Sequence, residues 1–509
     1  MSFRFWVFTC LPARLGFWLI GFGVLVFGFR PVLAQVPNTI ISTLNTPNEP
    51  SIALHPTKPN IIWAGTNHNN IYYSEDGGKT WLHELAISKS GVGGDPVMHI
   101  NKNGKLFYFH LSNPPKGNWI DRIVVQRRPN LIDNWDVDTY TGLNGNKAQD
   151  KHWVAEDANN GNLYLTWTQF DEYGVSDPKK RSNIMFSSST DEGETWTPAQ
   201  DISFFDGDCI DNDNTVEGAV PAVDKNGKIH VCWAGPKGLV YQKSSDFGKT
   251  WFEKEKIIEE IPGGWVYDIP GIYRCNGLPV TEVDLSNGKF QNSIYVAWSD
   301  QRNGETNTDI FIKYSRDGGE NWSKTIRVNN DETKAVQFLS WMKVDPTTGY
   351  IYLVFYDRRN HYDNKTDVFL AVSKDGGESF ENYEISETPF DPNKEVFFGD
   401  YTNLAISGGI LQAIWTRLDG KQLSLITTRI STKNLNIPRG LYAPNSGNFD
   451  VLVIENNQET EVISNQYFKK GIINTKTLNL SELDISTPYY LELRYSNNKK
   501  FADRIYLNK

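Results

Sequence analysis

The chain has 509 residues, 39% hydrophobic and 22% charged, with a formal net charge of −10. It is therefore globular rather than disordered, too long for one ordinary core, and unsuited to binding nucleic acid by neutralising phosphates. Aromatic residues reach 13%, with 16 Trp and 23 Tyr beside 41 Gly and 24 Pro, a bias toward many short strands joined by tight turns.

Arg4 and Arg14 precede an apolar stretch over 15–29, and the segment closes on Val32, Leu33 and Ala34. The stretch is short for a membrane span and Ala34 suits a signal peptidase, so residues 1–34 are expected to be a cleaved leader. An uncleaved N-terminal anchor is the alternative. The expected destination is secreted, periplasmic or cell-surface, with no membrane span left after cleavage. Removing 1–34 takes away three Arg and no acid, so the mature balance is 48 minus 61, or −13. Cys209, Cys232 and Cys275 then remain, an odd number that allows at most one internal disulfide.

A repeat runs over 35–432. Ser74-Glu75-Asp76-Gly77-Gly78-Lys79-Thr80-Trp81 recurs at 189–196, 244–251, 315–322 and, with Phe380 for the Trp, at 373–380. The Asp positions 76, 191, 246, 317 and 375 are separated by 115, 55, 71 and 58 residues. The doubled first gap implies a degenerate copy, and Gln126 to Trp135 fills it while keeping Asp133 and Trp135. The box reads as a turn: the carboxylate accepts backbone N–H groups, Gly supplies a positive φ, and Ser and Thr hydroxyls close the loop. Its Trp is expected to pack between neighbouring sheets. Each box follows a third strand and precedes a short fourth, which is the pattern of a propeller blade. A unit without a box begins near Phe398, and its missing strand is expected from Thr39 to Leu44, closing the ring. The count is seven blades, or six if one weak unit is an insertion.

These boxes resemble the Asp-box (BNR repeat) propellers of the sialidase superfamily. The expected fold is all-β: a propeller over 35–432 and a small β-sandwich over 433–509. The end of the chain, Leu478 to Leu483 and Tyr490-Leu491 through Arg504 to Lys509, resembles the C-terminal sorting domains of bacterial type IX secretion, which would make secretion machinery a partner. An accessory domain packed on the propeller is the alternative.

Propellers hold ligands over the channel, where loops entering first strands and leaving second strands converge. The openings carry Glu49, Asp95, Asp150-Lys151-His152, Glu217, Trp341 and Asp400-Tyr401; the exits carry His68, Asp171, Asp300-Gln301-Arg302, Asp357-Arg358-Arg359 and Arg417. The resemblance to sialidases implies three arginines gripping a substrate carboxylate, a Tyr nucleophile activated by Glu, and an Asp acid/base. Arg302, Arg358 (or Arg359) and Arg417 would be the clamp, Tyr401 (or Tyr356) the nucleophile, Glu217 its partner and Asp95 the acid. The family's Phe-Arg-Ile-Pro motif is absent from the early blades, and the nearest Arg string is Tyr273-Arg274-Cys275. The repeated Asp-x-Arg spacing allows another reading, in which these arginines pair with acids of their own or a neighbouring blade.

Asp206, Asp208, Asp211 and Asp213, with Glu217, fall within twelve residues. They suit Ca²⁺ by ligand type but lack EF-hand spacing, so an exposed acidic loop competes. No Gly-rich phosphate loop joins a strand to a helix, so no organic cofactor is expected. The function that follows is a secreted, sialidase-like hydrolase of acidic glycans. The alternatives are a polysaccharide lyase using His152 or His361 with Tyr401, and a non-catalytic propeller binding a glycan, polysaccharide or protein at the cell surface.

Overall fold

The computed structural model describes residues 36–130, 133–433, 440–443, 446–455, 458–468, 471–474, 478 and 489–507. The segment expected to be a leader lies outside them. Among the described residues there are strands and no helices, and no helix long and apolar enough to cross a membrane.

Seven four-stranded antiparallel sheets lie between residues 38 and 431. We call them blades 1–7 in chain order. Their innermost strands are Ser51–Leu54, Gly94–Ile100, Ala148–Glu156, Glu217–Val223, Val280–Val283, Gln337–Val344 and Asn403–Ser407. Each touches the innermost strand of the next blade, and the last returns to the first. The strand Asn38–Ser42 pairs with Gln422–Ser431 and forms the outer edge of blade 7. The sequence expectation for this segment is met in place and partner.

The second strand of a blade is covered on both sides by its neighbours. Leu163–Phe170, Ile294–Asp300 and Ile351–Asp357 are accordingly buried at every position, and the last two open with unbroken apolar runs, Ile294 to Trp298 and Ile351 to Tyr356.

The boxes fold as one repeated turn. In the first, the Ser74 hydroxyl donates to Asp76 Oδ1 at 2.9 Å and accepts from Gly78 N at 2.9 Å, while Thr80 donates its N–H and hydroxyl to Asp76 at 3.0 and 2.7 Å. The same bonds recur around Asp191, Asp246, Asp317 and Asp375. The backbone N–H of Asn321, with its side chain, pulls the Asp317 carboxyl down to about 2. Each box Trp then reaches the preceding blade. Trp196 meets Phe109 at 6.1 Å, Trp251 meets Phe186 at 4.9 Å and Trp322 meets Tyr241 at 5.2 Å. In the degenerate copy Trp135 still packs on Trp63 at 6.2 Å. The aromatic staple between blades has outlasted the turn chemistry there.

The tail contains a four-stranded sheet (Gln458–Phe468, Gly447–Glu455, Tyr489–Tyr495, Phe501–Leu507) and a two-stranded one (Gly440–Ala443, Gly471–Asn474). Phe449, Val451, Ile473, Leu491, Leu493 and Ile505 share a core between them. Cys209, Cys232 and Cys275 are buried free thiols.

Candidate functional site

A bulge recurs where the innermost strands begin. Register shifts fall between Gly94 and Val97, Asp150 and Trp153, Glu217 and Val220, and Phe338 and Trp341. The second residue of each bulge is left-handed: Asp95 (φ 49°), Lys151 (φ 49°), Gly218 (φ 77°) and Leu339 (φ 50°). Glu49 (φ 51°) and Gly399 (φ 103°) hold the matching places in blades 1 and 7. A non-Gly residue held this way costs about 1–3 kcal/mol, and a bulge re-aims the side chains around it. Three of these six positions, Glu49, Asp95 and Lys151, are charged residues held in strained backbone at one end of the channel.

Their side chains form one network centred on Asp400. Lys151 Nζ donates to Asp400 Oδ2 at 2.9 Å and lies 3.6 Å from Asp95 Oδ2. Arg274 grips Asp400 with two nitrogens, Nε donating at 2.9 Å and Nη2 making a second, short bond. Its Nη1 lies 3.7 Å from Asp211, which also accepts the Tyr173 hydroxyl at 2.6 Å. Asp400 N donates to Glu49 at 3.1 Å; Asn67 bonds the other Glu49 oxygen and accepts from Asp95 N at 2.8 Å. Glu217 lines the same small pocket as Lys151, Asp211, Arg274 and Asp400, and its Oε1 is buried without a hydrogen-bond partner.

Six carboxyl groups (Glu49, Asp95, Asp150, Asp211, Glu217, Asp400) thus surround two cations. Burial opposes ionisation of Asp400, but Lys151 and Arg274 outweigh it and hold that carboxyl below the usual range. Burial would likewise depress Lys151, yet Asp400 and Asp95 keep it raised. Glu217, Asp150 and Glu49 shift upward. Burial and then Asp211 raise Glu217 well above the carboxylate range. Burial, opposed by Lys151 and assisted by Asp95 and Asp211, brings Asp150 to about 7. Burial, Asp95 and Asp400 raise Glu49. The mouth therefore places protonated carboxylic acids beside ionised ones, the arrangement that acid/base chemistry needs.

Beneath the network the channel is blocked. Trp153, Trp341 and Tyr401 meet there, with Trp153–Tyr401 centroids 5.3 Å apart. Past the plug, the far ends of the innermost strands enclose a cavity of about 400 Å³. The mouth pocket itself encloses about 50 Å³.

The expected site divides. Asp95, Glu217 and Tyr401 do gather at the mouth. Tyr401, however, is packed against Trp153 and Trp341, and burial with Asp95 and Glu49 drives its hydroxyl well above its ordinary value. That environment opposes a tyrosinate nucleophile, and no hydrogen bond joins Tyr401 to Glu217 among the described residues. Tyr356 donates to Thr416 O at 2.8 Å and is fully buried.

The three arginines do not form a clamp. Arg302 is held by Asp300 and Glu259 (Nη2–Oδ2 2.6 Å, Nη1–Oε1 3.1 Å). Arg359 is held by Asp357, with Nε donating at 2.8 Å. Arg417 is held by Asp419 (Nε–Oδ2 2.6 Å) and by the carbonyls of Thr388 and Pro389. Arg358 bonds Thr366 and Asn364. Arg302 and Arg359 pair within their own turns, as the Asp-x-Arg spacing allows, and Arg417 pairs with the acid two residues after it. The arginine that does sit at the mouth is Arg274, delivered by a loop that follows no repeat.

The acidic loop does not gather its carboxylates either. Asp206 accepts from Asn183, Asp208 from Thr215, Asp211 from Tyr173, and Asp213 from Val266 N. Among the described residues no group of three or more His, Cys, Asp or Glu side chains is placed to hold a metal ion. The structure does not bring together the four residues expected to hold calcium, Asp206, Asp208, Asp211 and Asp213. The loop is tied mainly to residues outside it, Asn183, Tyr173 and Val266, and Asp211 belongs to the mouth. His152 is buried, and burial lowers it to about 4. His361 is bound to Asp367 at 2.7 Å.

Residues 161–403, which contain four of the boxes, match the BNR repeat-like domain. No curated relative matches the chain. Among solved structures the chain is similar to an ulvan lyase of a polysaccharide lyase family (14% identity, TM-score 0.46, covering 77% of this chain and 94% of that one). It is also similar to an α-L-arabinanase from Penicillium chrysogenum complexed with arabinobiose (14% identity, TM-score 0.43, covering 79% and 99%). A Hadza microbial sialidase is similar at 12% identity and TM-score 0.39, with 73% of each chain covered.

Proposed function

We propose that the protein is a glycan-acting hydrolase whose acid/base chemistry is done by carboxyl groups at the channel mouth. The observation that carries this reading is the pairing of Glu217 with Asp211 in one pocket. Glu217 is the buried carboxylic acid with an unpartnered oxygen, and Asp211 is the carboxyl that Tyr173 and Arg274 hold in place. Glu217 donates a proton to the leaving oxygen, and Asp211 serves the opposite role toward water or the sugar.

Both mouth cations are committed to Asp400, so no guanidinium is left there for a substrate carboxylate. The sugar at the mouth is therefore a neutral residue rather than a sialic acid. Exposed aromatic rings flank the pocket: Trp119, 53% exposed and edge-on to Tyr173, and Tyr273, 58% exposed and edge-on to Phe397. Such rings offer stacking faces to sugars on either side.

A non-catalytic glycan-binding propeller is the second reading. The size of the mouth pocket favours it, because about 50 Å³ accommodates water rather than a sugar ring. Incubating residues 35–509 with pools of neutral and acidic polysaccharides, and reading new reducing ends by mass spectrometry, decides between them. Products from neutral chains that vanish in Glu217→Gln support the hydrolase. Unsaturated ends indicate a lyase. Retention on affinity gels without products supports the binding module. Export belongs to the same proposal and is checked by N-terminal sequencing, which is expected to begin at Gln35. The role of the tail in sorting is checked by deleting 433–509 and following the protein's location.

A further inference from the structure

Arg358 differs from its neighbours in having no acid. Arg302, Arg359 and Arg417 each meet a carboxylate two residues away in sequence. Arg358 is only 4% exposed, and no ion pair reaches it among the described residues. Its Nε donates to Thr366 Oγ1 at 3.0 Å and its Nη1 makes a long 3.4 Å contact with Asn364 Oδ1. Nη2 is buried with no acceptor, and one face of the guanidinium lies over the Phe338 ring at 5.5 Å. A buried guanidinium without an anion is costly, because desolvation is not offset by any opposite charge. Burial accordingly lowers Arg358 to about 10, against the opposing pull of Cys275, Asp391 and Asp363.

The same residue lines a groove of about 870 Å³ between the turn at 358–364 and the loop at 263–273. Lys334 and Lys394 also line it, together with Asp268, Glu305 and Asp363, and Asp363 is already paired with Lys365 at 3.2 Å. The groove shares no lining residue with the mouth pocket.

We propose that this groove is a second ligand site, in which the Nη1–Nη2 edge of Arg358 binds an anionic oxygen group, the carboxylate or sulfate substituent of a glycan. A guanidinium fork fits two oxygens of such a group side by side, and giving up the weak Asn364 contact frees that edge. The ligand then supplies the charge that the fold withholds. The site requires no catalysis at the mouth, so its test stands apart from that of the hydrolase.

The test uses the full mature chain with inorganic sulfate and free glucuronate as probes, each against sodium chloride at equal ionic strength. The melting temperature of the wild type is expected to rise with the logarithm of probe concentration, and the rise is expected to be absent in Arg358→Met. In chloride alone Arg358→Met is expected to melt at or above the wild type, since it removes an uncompensated charge. A response to glucuronate alone assigns the site to uronates, and one to sulfate alone assigns it to sulfated sugars. Equal shifts in wild type and Arg358→Met, or no shift with either probe up to roughly 50 mM, a weak limit for such a site, overturn the proposal. If Arg358→Met does not fold, Arg358→Lys decides. It keeps the charge but loses the fork, so half-saturation at higher probe concentration supports the site and an unchanged curve overturns it.

Discussion

Trp153 of blade 3 and Trp341 of blade 6 stand with their ring centroids 4.2 Å apart across the axis of the propeller. Blades that are not neighbours in the ring are thereby joined through its centre. Replacing Trp341 by Ala removes that contact and leaves a cavity in place of a large buried side chain. The expected loss is about 3–5 kcal/mol, measured by urea denaturation. Trp153→Phe, which keeps an aromatic ring in place, is expected to cost less.

Asp400 neutralises both mouth cations. Asp400→Ala leaves Lys151 buried without its nearest acid and frees Arg274, so a loss of about 3–5 kcal/mol is expected. Restoring only the shape with Asp400→Asn is not expected to recover it. The comparison is read from the melting temperatures of the two variants.

Burial and Asp211 raise the Glu217 carboxyl well above its ordinary value, favouring its neutral form, which Glu217→Gln imitates at the same size. Its stability is expected to match or slightly exceed that of the wild type, while hydrolysis falls by about 10²–10⁴-fold. A variant that melts normally and still cleaves glycans at the wild-type rate would remove Glu217 from the chemistry.

The stability of the mouth depends on pH in two directions. Asp150, at about 7 in the fold against an ordinary carboxylate when unfolded, binds its proton more tightly in the native state. Its contribution is therefore present at low pH and lost as pH rises from about 4 to about 7. Asp400 is shifted downward, so its contribution is present above the ordinary carboxylate range and lost as pH falls below it. Maximum stability is expected in the mildly acidic range. In Asp150→Asn the decline toward neutral pH is expected to flatten, as followed by melting temperature between pH 4 and 8.

The parts of this fold that were legible in the sequence are those fixed by local chemistry. A box needs only the contacts of Ser74, Asp76, Gly78 and Thr80, all within seven residues, so its pattern survives as a string. The internal pairing of Arg302 and Arg359 was visible in the Asp-x-Arg spacing for the same reason. The mouth is different. Lys151 and Asp400 are 249 residues apart and Arg274 and Asp400 are 126 apart, and Arg274 sits on a loop with no counterpart in the other blades. Asn67, which joins Glu49 to Asp95, carries no motif at all. The gathering of Glu49, Asp95, Glu217 and Asp400 at one rim was readable because the blade repeat fixes which end of each strand faces the channel. Which of those charges would be satisfied was not, since that depends on contacts around the whole ring.

The seam in blade 7 ties residues some 390 positions apart, with Asn38 opposite Thr428. Joining the ends of so long a loop costs about 5 kcal/mol in chain entropy beyond the fixed term, and no intermediate ring recovers any of it. The earlier blades can form as they emerge, but the circle stays open until the last hairpin has been made. A chain lacking residues 36–42 would keep all its other blades and present the bare strand Gln422–Ser431 to solvent, an edge ready to pair with a second molecule. The closure of the ring therefore rests on the five residues of the strand Asn38–Ser42.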